Sequence, residues 1–126
     1  MTEVPFSELN TSRASAILMV AAREVATRGL CRGAVRNRAT GTVSVVGAIM
    51  VASGVPWKKL SDDPEAIATD VPQTTRPAAL LAWECVDSET GDIYAWEDDP
   101  SNTTEDAVML LRSCGDTMAI ANGRKQ

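Results

Sequence analysis

Apolar residues recur at helical spacing early in the chain: Ala14, Ile17, Leu18, Ala21 and Val25 share one stripe, with Arg13, Arg23 and Thr27 mostly on the other side. That spacing predicts a first helix from an N-cap near Asn10 or Thr11 to about Arg28, closed by Gly29 at the C′ position. Pro5 breaks any earlier helix, so residues 1–10 read as a flexible arm. The pattern then changes. Leu30 to Val35 and Thr42-Val43 are short β-prone pieces around the turn sequence Arg36-Asn37-Arg38-Ala39-Thr40-Gly41, which predicts a small β-hairpin. From Ser44 to Ser53 the chain is apolar nearly all round (Val45, Val46, Ala48, Ile49, Met50, Val51), and a helix of that kind belongs in the middle of a core. Gly54 and Pro56 end it.

Trp57 to Gln73 reads as a connector holding one helical turn, with Asp63 at its N-cap and Pro64 first in the helix. Thr74-Thr75-Arg76-Pro77 opens a third helix through Val86, with Leu80, Leu81, Trp83 and Cys85 as its apolar positions. Asp87 to Asp92 is a turn, and Ile93-Tyr94-Ala95-Trp96 is a short extended piece or the start of a helical turn. Thr103 caps a last helix, with Asp106 at the third position and Glu105 in the first turn, where the helix dipole favours acids. The inner stripe of this helix is Ala107, Val108, Leu111, Cys114 and Met118. Gly115 lies inside that pattern at a cost of ~1 kcal/mol against Ala, which a close helix–helix approach would offset. Residues 121–126 read as a disordered tail. The expected fold is mainly α: a compact bundle of about four helices around a buried central helix, with a small β-hairpin on one side. Residues 11–120 form a single α-rich globular domain in this reading.

Composition narrows the chemistry more than the fold. A chain of 126 residues suits one domain, and its 44% apolar content with 4% aromatics points to a core of Ala, Val, Leu, Ile and Met. Histidine is absent, which excludes Ser-His-Asp triads, Cys-His dyads and HExxH zinc sites. Cys31, Cys85 and Cys114 are an odd number without a C-x-x-C pair and read as three reduced thiols. The longest apolar run, Thr42 to Val55, is about 14 residues, short of the ~20 a membrane span needs. The opening MTEVPFSELN carries acids and no apolar core, so the expected location is the cytoplasm, with no membrane partner.

Charge is unevenly spread. Residues 1–60 hold eight Lys/Arg against three acids, and residues 61–126 hold four against fourteen, within a net charge of −5. The halves could face each other within the fold, make a head-to-tail homo-oligomer, or meet separate partners. Three groups of residues are candidates. Trp57, Lys58 and Lys59 place a large aromatic beside two cations, as at an interface anchor with a charged rim; alternatively Trp57 caps the core and the lysines are solvated. Trp96, Glu97, Asp98 and Asp99 form an acidic segment that would meet a protein partner or, as the alternative, hold a divalent ion for a carboxylate- or metal-dependent hydrolase. Arg32, Arg36 and Arg38 would serve a nucleic-acid-binding regulator, but no aromatic ladder accompanies them and the chain is acidic overall, so nucleic acid ranks below a protein partner. Arg28 and Arg32 beside Cys31 could lower its thiol pKa and make it reactive. Asp87-Ser88-Glu89-Thr90-Gly91-Asp92 lacks the glycine and glutamate positions of a calcium loop and reads as a solvated turn.

Three pieces taken together carry a resemblance: Gly29-Leu30-Cys31-Arg32-Gly33-Ala34, Ser44-Val45-Val46-Gly47-Ala48-Ile49, and Ile93-Tyr94-Ala95-Trp96-Glu97-Asp98 followed by Thr103 to Leu111. In that order and spacing the chain resembles a family of small uncharacterised proteins of actinobacteria and their phages, over roughly residues 11–120. The family pattern has Gly-Trp, Cys-x-x-Gly-Ala and Trp-Asn-Asp where this chain has Gly29-Leu30, Ser44-Val45-Val46-Gly47-Ala48 and Trp96-Glu97-Asp98. The resemblance implies a helical domain with a small β element and a phage or prophage origin, and no activity. The combined expectation is a small non-enzymatic binding or adaptor protein that engages a host or phage protein through its acidic C-terminal half. Its partner-binding residues would be Trp57, Lys58, Lys59, Trp96, Glu97, Asp98 and Asp99, and no catalytic residue, cofactor or metal is assigned.

Overall fold

Ser44 starts the helix that organises the rest. In the computed structural model, which describes residues 8–63 and 65–124, its hydroxyl accepts the Gly47 N–H at 2.9 Å and so caps α2 (Val45–Ala52). Val45 through Met50 are all buried, as the all-round apolar pattern predicted, and α2 packs against α1 (Glu8–Arg28), α4 (Arg76–Thr90) and α5 (Ile93–Asp98). A 310 turn (Trp57–Lys59) and α3 (Ala66–Thr69) occupy the connector, and α6 (Thr104–Arg124) closes the fold. Helices α1 and α6 run antiparallel. The Ser15 hydroxyl donates to the Gly115 carbonyl at 2.9 Å, and the Leu30 N–H donates to the Thr104 hydroxyl at 3.1 Å. One hydrophobic cluster runs from Ala14 in α1 through α2 and α4 to Leu111 and Cys114 in α6. The architecture is mainly helical with one small antiparallel sheet.

Local capping chemistry follows the expectation at α6 and departs from it at α3. Thr103 and Asp106 form a reciprocal capping box: the Asp106 N–H donates to the Thr103 hydroxyl at 3.2 Å and the Thr103 N–H to the Asp106 carboxylate at 2.9 Å. At α3 the cap shifts: the helix starts at Ala66 with Glu65 at its N-cap, and Asp63, expected to cap it, accepts the Glu65 N–H at 2.9 Å in the turn before it. Gly115 does face a close approach, since a Cβ there would lie 3.0 Å from the methyl of Met19 on α1.

Four further elements depart from expectation. Helix α1 begins at Glu8, so residues 8–10 are helical where an arm was expected; the rest of that arm, residues 1–7, lies outside the described residues. At the other end α6 continues to Arg124, four residues into the expected disordered tail, and residues 125–126 lie outside the description, as does Pro64. Helix α4 runs past Val86 to Thr90, because no breaker intervenes before Gly91, whose φ of +82° ends it.

The hairpin is real but shifted. Its strands are β1 (Arg36–Asn37) and β2 (Thr42–Val43), paired Arg36 with Val43 and Asn37 with Thr42, so two of the expected turn residues are strand. Leu30 makes only an isolated parallel bridge to Val43. The backbone between Leu30 and Val35 is claimed by other partners, and Gly33 turns it at φ +80°.

Candidate functional site

Helix α5 is short, and side chains hold it in place. Asp92 caps it by accepting the Tyr94 and Ala95 N–H groups at 3.0 and 3.2 Å, and Asp87 accepts the Ile93 N–H at 3.1 Å. Ile93 and Glu97, one turn apart, both point inward. Ile93 enters the core. Glu97, only 6% exposed, reaches the start of α2, where its carboxyl accepts the Val45 N–H at 3.0 Å. Burial pushes the Glu97 carboxyl up to about 8, against the opposing hydrogen bonds from the Val45 and Val46 N–H groups. It is therefore largely protonated at neutral pH. This corrects its place on a partner-binding surface: Glu97 is an internal cap.

Its neighbours are spent on other segments. Asp98 accepts the Gly33 N–H at 2.9 Å, and Asp62 accepts the Val35 N–H at 2.7 Å, so two distant carboxylates pin the 33–35 loop. Asp99 accepts both the backbone N–H and the hydroxyl of Ser101, which hold its carboxyl below the ordinary range. Gly33, Ala34, Val35, Asp62, Tyr94, Glu97 and Asp98 line an open pocket of about 140 Å³. Among the described residues no cluster of three or more Asp, Glu, Cys or His has the geometry to hold a metal ion. The run Glu97-Asp98-Asp99 thus serves three separate places instead of one surface.

Trp57 is anchored within the chain. The Arg28 guanidinium lies 4.7 Å and that of Arg36 5.3 Å from its ring centroid, each within cation–π range. Its indole N–H donates to the Thr42 carbonyl at 3.4 Å, and its own carbonyl accepts from Arg36 at 2.9 Å. These contacts fasten the connector to the hairpin, while Lys58 and Lys59 are exposed. Arg36, Arg38, Trp57 and Lys58 line a depression of about 290 Å³. Arg32 stands apart from Arg36 and Arg38, donating to the Asn102 carbonyl in the loop before α6. The flanking arginines do not activate Cys31 either. Burial raises its thiol pKa above the ordinary value, which outweighs the hydrogen bond with Thr42.

Trp96 is half-buried and lies in a groove of about 410 Å³ with Glu89, Asn102, Asp106, Met109, Leu110 and Ser113. Its carbonyl accepts the Asn102 side-chain amide at 2.8 Å, which fixes the α5–α6 loop against it. Met109 is 68% exposed, the largest value among the exposed large apolar residues described. Sequence reasoning missed it, although a signal was there: Met109 falls off the inner stripe of α6, roughly opposite Ala107 and Leu111 at 3.6 residues per turn. The one ion pair among the described residues is Arg28–Glu24 within α1. The acids rimming the groove and the cations around Trp57 therefore do not neutralise each other by direct pairing.

The profile of a family of unknown function (DUF6197) matches residues 9–117. The chain belongs to that family. The DUF6197 match spans every element from α1 to the greater part of α6, the groove included. No curated protein and no solved structure matches the chain. No helix among the described residues is long and apolar enough to cross a membrane.

Proposed function

We propose that this chain is a binding or adaptor protein that docks a basic segment of a protein partner in the groove over α5 and α6. The observation that carries the reading is Met109, 68% exposed on the same groove as Trp96 and Leu110 and rimmed by Glu89 and Asp106. An unbranched thioether beside an aromatic makes an adaptable apolar contact. Covering a methionine is worth ~1.5–3 kcal/mol at most, so the acids contribute orientation and encounter rate, and binding weakens with salt. The remaining sequence-derived anchors are reassigned: Trp96 stays in the docking surface, Trp57 holds the hairpin, and Lys58 and Lys59 are peripheral. A phage origin, a host or phage partner and a cytoplasmic setting belong to the same proposal and rest on the family resemblance.

The test is capture of partners by the tagged chain from a nuclease-treated lysate at low and high salt, with Met109→Asp in parallel. One dominant protein should be retained, weaken as salt rises, and fall at least tenfold with Met109→Asp. Capture unchanged by that substitution would remove the groove from the reading. The second reading is a nucleic-acid regulator at the Arg36, Arg38 and Lys58 depression, whose cations have no carboxylate partner among the described residues. It predicts the opposite pattern: capture abolished by nuclease and lost in an Arg36→Ala, Arg38→Ala double variant.

A further inference from the structure

Cys85 on α4 and Cys114 on α6 lie 29 residues apart in sequence and meet where the two helices pack. The Cys85 thiol donates to the Cys114 carbonyl oxygen at 3.9 Å, which brings the Cys85 sulfur against the backbone of Cys114. Their surroundings differ. Cys114 is a core residue at 2% exposure, whereas Cys85 is half-buried at the edge of the hydrophobic cluster, so a small solute reaches Cys85 first. Cys31 sits elsewhere, with its N–H on the Val43 carbonyl and its thiol toward the Arg32 carbonyl.

We propose that Cys85 and Cys114 are an oxidative modification site, forming a reversible intramolecular disulfide that ties α4 to α6, with a hydroperoxide as the oxidant. The asymmetry of the pair sets the roles. Cys85, the half-buried partner, meets the oxidant first, and the neighbouring Cys114 thiol draws its pKa below the ordinary value, while Cys114, buried in the core, is held above it. The Cys85 thiolate attacks the terminal oxygen of the hydroperoxide and the O–O bond breaks. Cys85 becomes a sulfenic acid, and the departing alkoxide or hydroxide takes up the proton Cys85 had released. The Cys114 sulfur then attacks the Cys85 sulfur. The S–O bond breaks, and the sulfenic hydroxyl leaves with the Cys114 proton as water. Two thiols and one hydroperoxide thus give one disulfide, one alcohol or water, and one further water. The two sulfurs together lose two electrons and the peroxide gains them. The packing of α4 on α6 already places the Cys85 sulfur against the Cys114 backbone.

The experiment treats the full chain with hydrogen peroxide, blocks remaining thiols by alkylation, and maps the peptides by mass spectrometry. The expected product is a monomer lacking two hydrogens, with Cys85 and Cys114 in one linked peptide, Cys31 alkylated, and both thiols restored by dithiothreitol. Cys31→Ser should leave the bridge intact, and Cys85→Ser should abolish it. In Cys114→Ser a dione probe should trap the sulfenic acid at Cys85. Should Cys114→Ser fail to fold, the wild-type map and Cys85→Ser, at a half-buried position, still decide. Both thiols remaining alkylatable, oxidation of Cys85 onward to sulfinic acid, or a bridge between two chains would each overturn the proposal.

Discussion

Raising the pH from about 5 to about 8 should cost this protein stability, and Glu97→Gln should remove most of that dependence. Glu97 is 6% exposed, and burial raises its carboxyl from an ordinary 4.5 to about 8. Between those two values the folded chain holds a proton that the unfolded chain has released. Stability is therefore fully present below 4.5, falls as pH rises through the window, and levels off above about 8. At ~1.4 kcal/mol per pK unit the loss amounts to a few kcal/mol. The positive end of α2 limits it, because the Val45 N–H still donates to the ionised carboxylate. Glutamine keeps an acceptor oxygen for that N–H and carries no titrating proton. Urea midpoints followed by circular dichroism from pH 5 to 9 check this. A wild-type profile that is flat, or that rises across the window, would show that Glu97 is ionised in the folded state at neutral pH.

Gly47→Ala should destabilise the chain by about 2–3 kcal/mol, a typical cost of forced overpacking. A Cβ at that position would lie 2.6 Å from the Val35 carbonyl oxygen, 3.0 Å from the Val43 Cγ2 and 3.2 Å from the Ser44 hydroxyl. The carbonyl has little room to withdraw. It accepts the Ser44 N–H at 2.8 Å, and the Val35 N–H is held by Asp62. The clash therefore strains the α2 cap and the 33–35 loop together. Gly115→Ala is the control. Its Cβ would meet only the flexible end of Met19 at 3.0–3.4 Å, and the ~1 kcal/mol gain in helix propensity offsets the shift. Gly115→Ala should thus fall within about 1 kcal/mol of wild type in the same denaturation assay. Equal losses at the two glycines would mean that the Val35 carbonyl can move as freely as a methionine methyl.

The two glycines show how differently the fold and the site could be read beforehand. Gly115 broke a regular helical stripe, and that break pointed to a close approach. Gly47 sat in an apolar run like any other small residue, because its close neighbour, the Val35 carbonyl, belongs to a different element. Sequence similarly marked Trp57 as an anchor but could not say whose, since its cation neighbours Arg28 and Arg36 come from α1 and β1. The run Glu97-Asp98-Asp99 looked like one acidic patch. Helical rotation and the following turn send its members to α2, to the 33–35 loop and to Ser101.

What the sequence by itself determined was local: the cap at Thr103, the buried character of α2, the ending of helices at glycine, and the absence of imidazole chemistry. Each rests on spacings of a few residues, where backbone geometry fixes which groups can meet. Only the tertiary structure decided the hairpin register, the burial of Glu97, the exposure of Met109 on a groove and the meeting of Cys85 with Cys114. Those depend on pairs such as Val45 with Glu97, 52 residues apart, and Leu30 with Thr104, 74 apart. The N–H groups of Leu30, Gly33 and Val35 were free to donate to a strand ladder or to distant side-chain oxygens. Burial against α5, α6 and the connector selected the second.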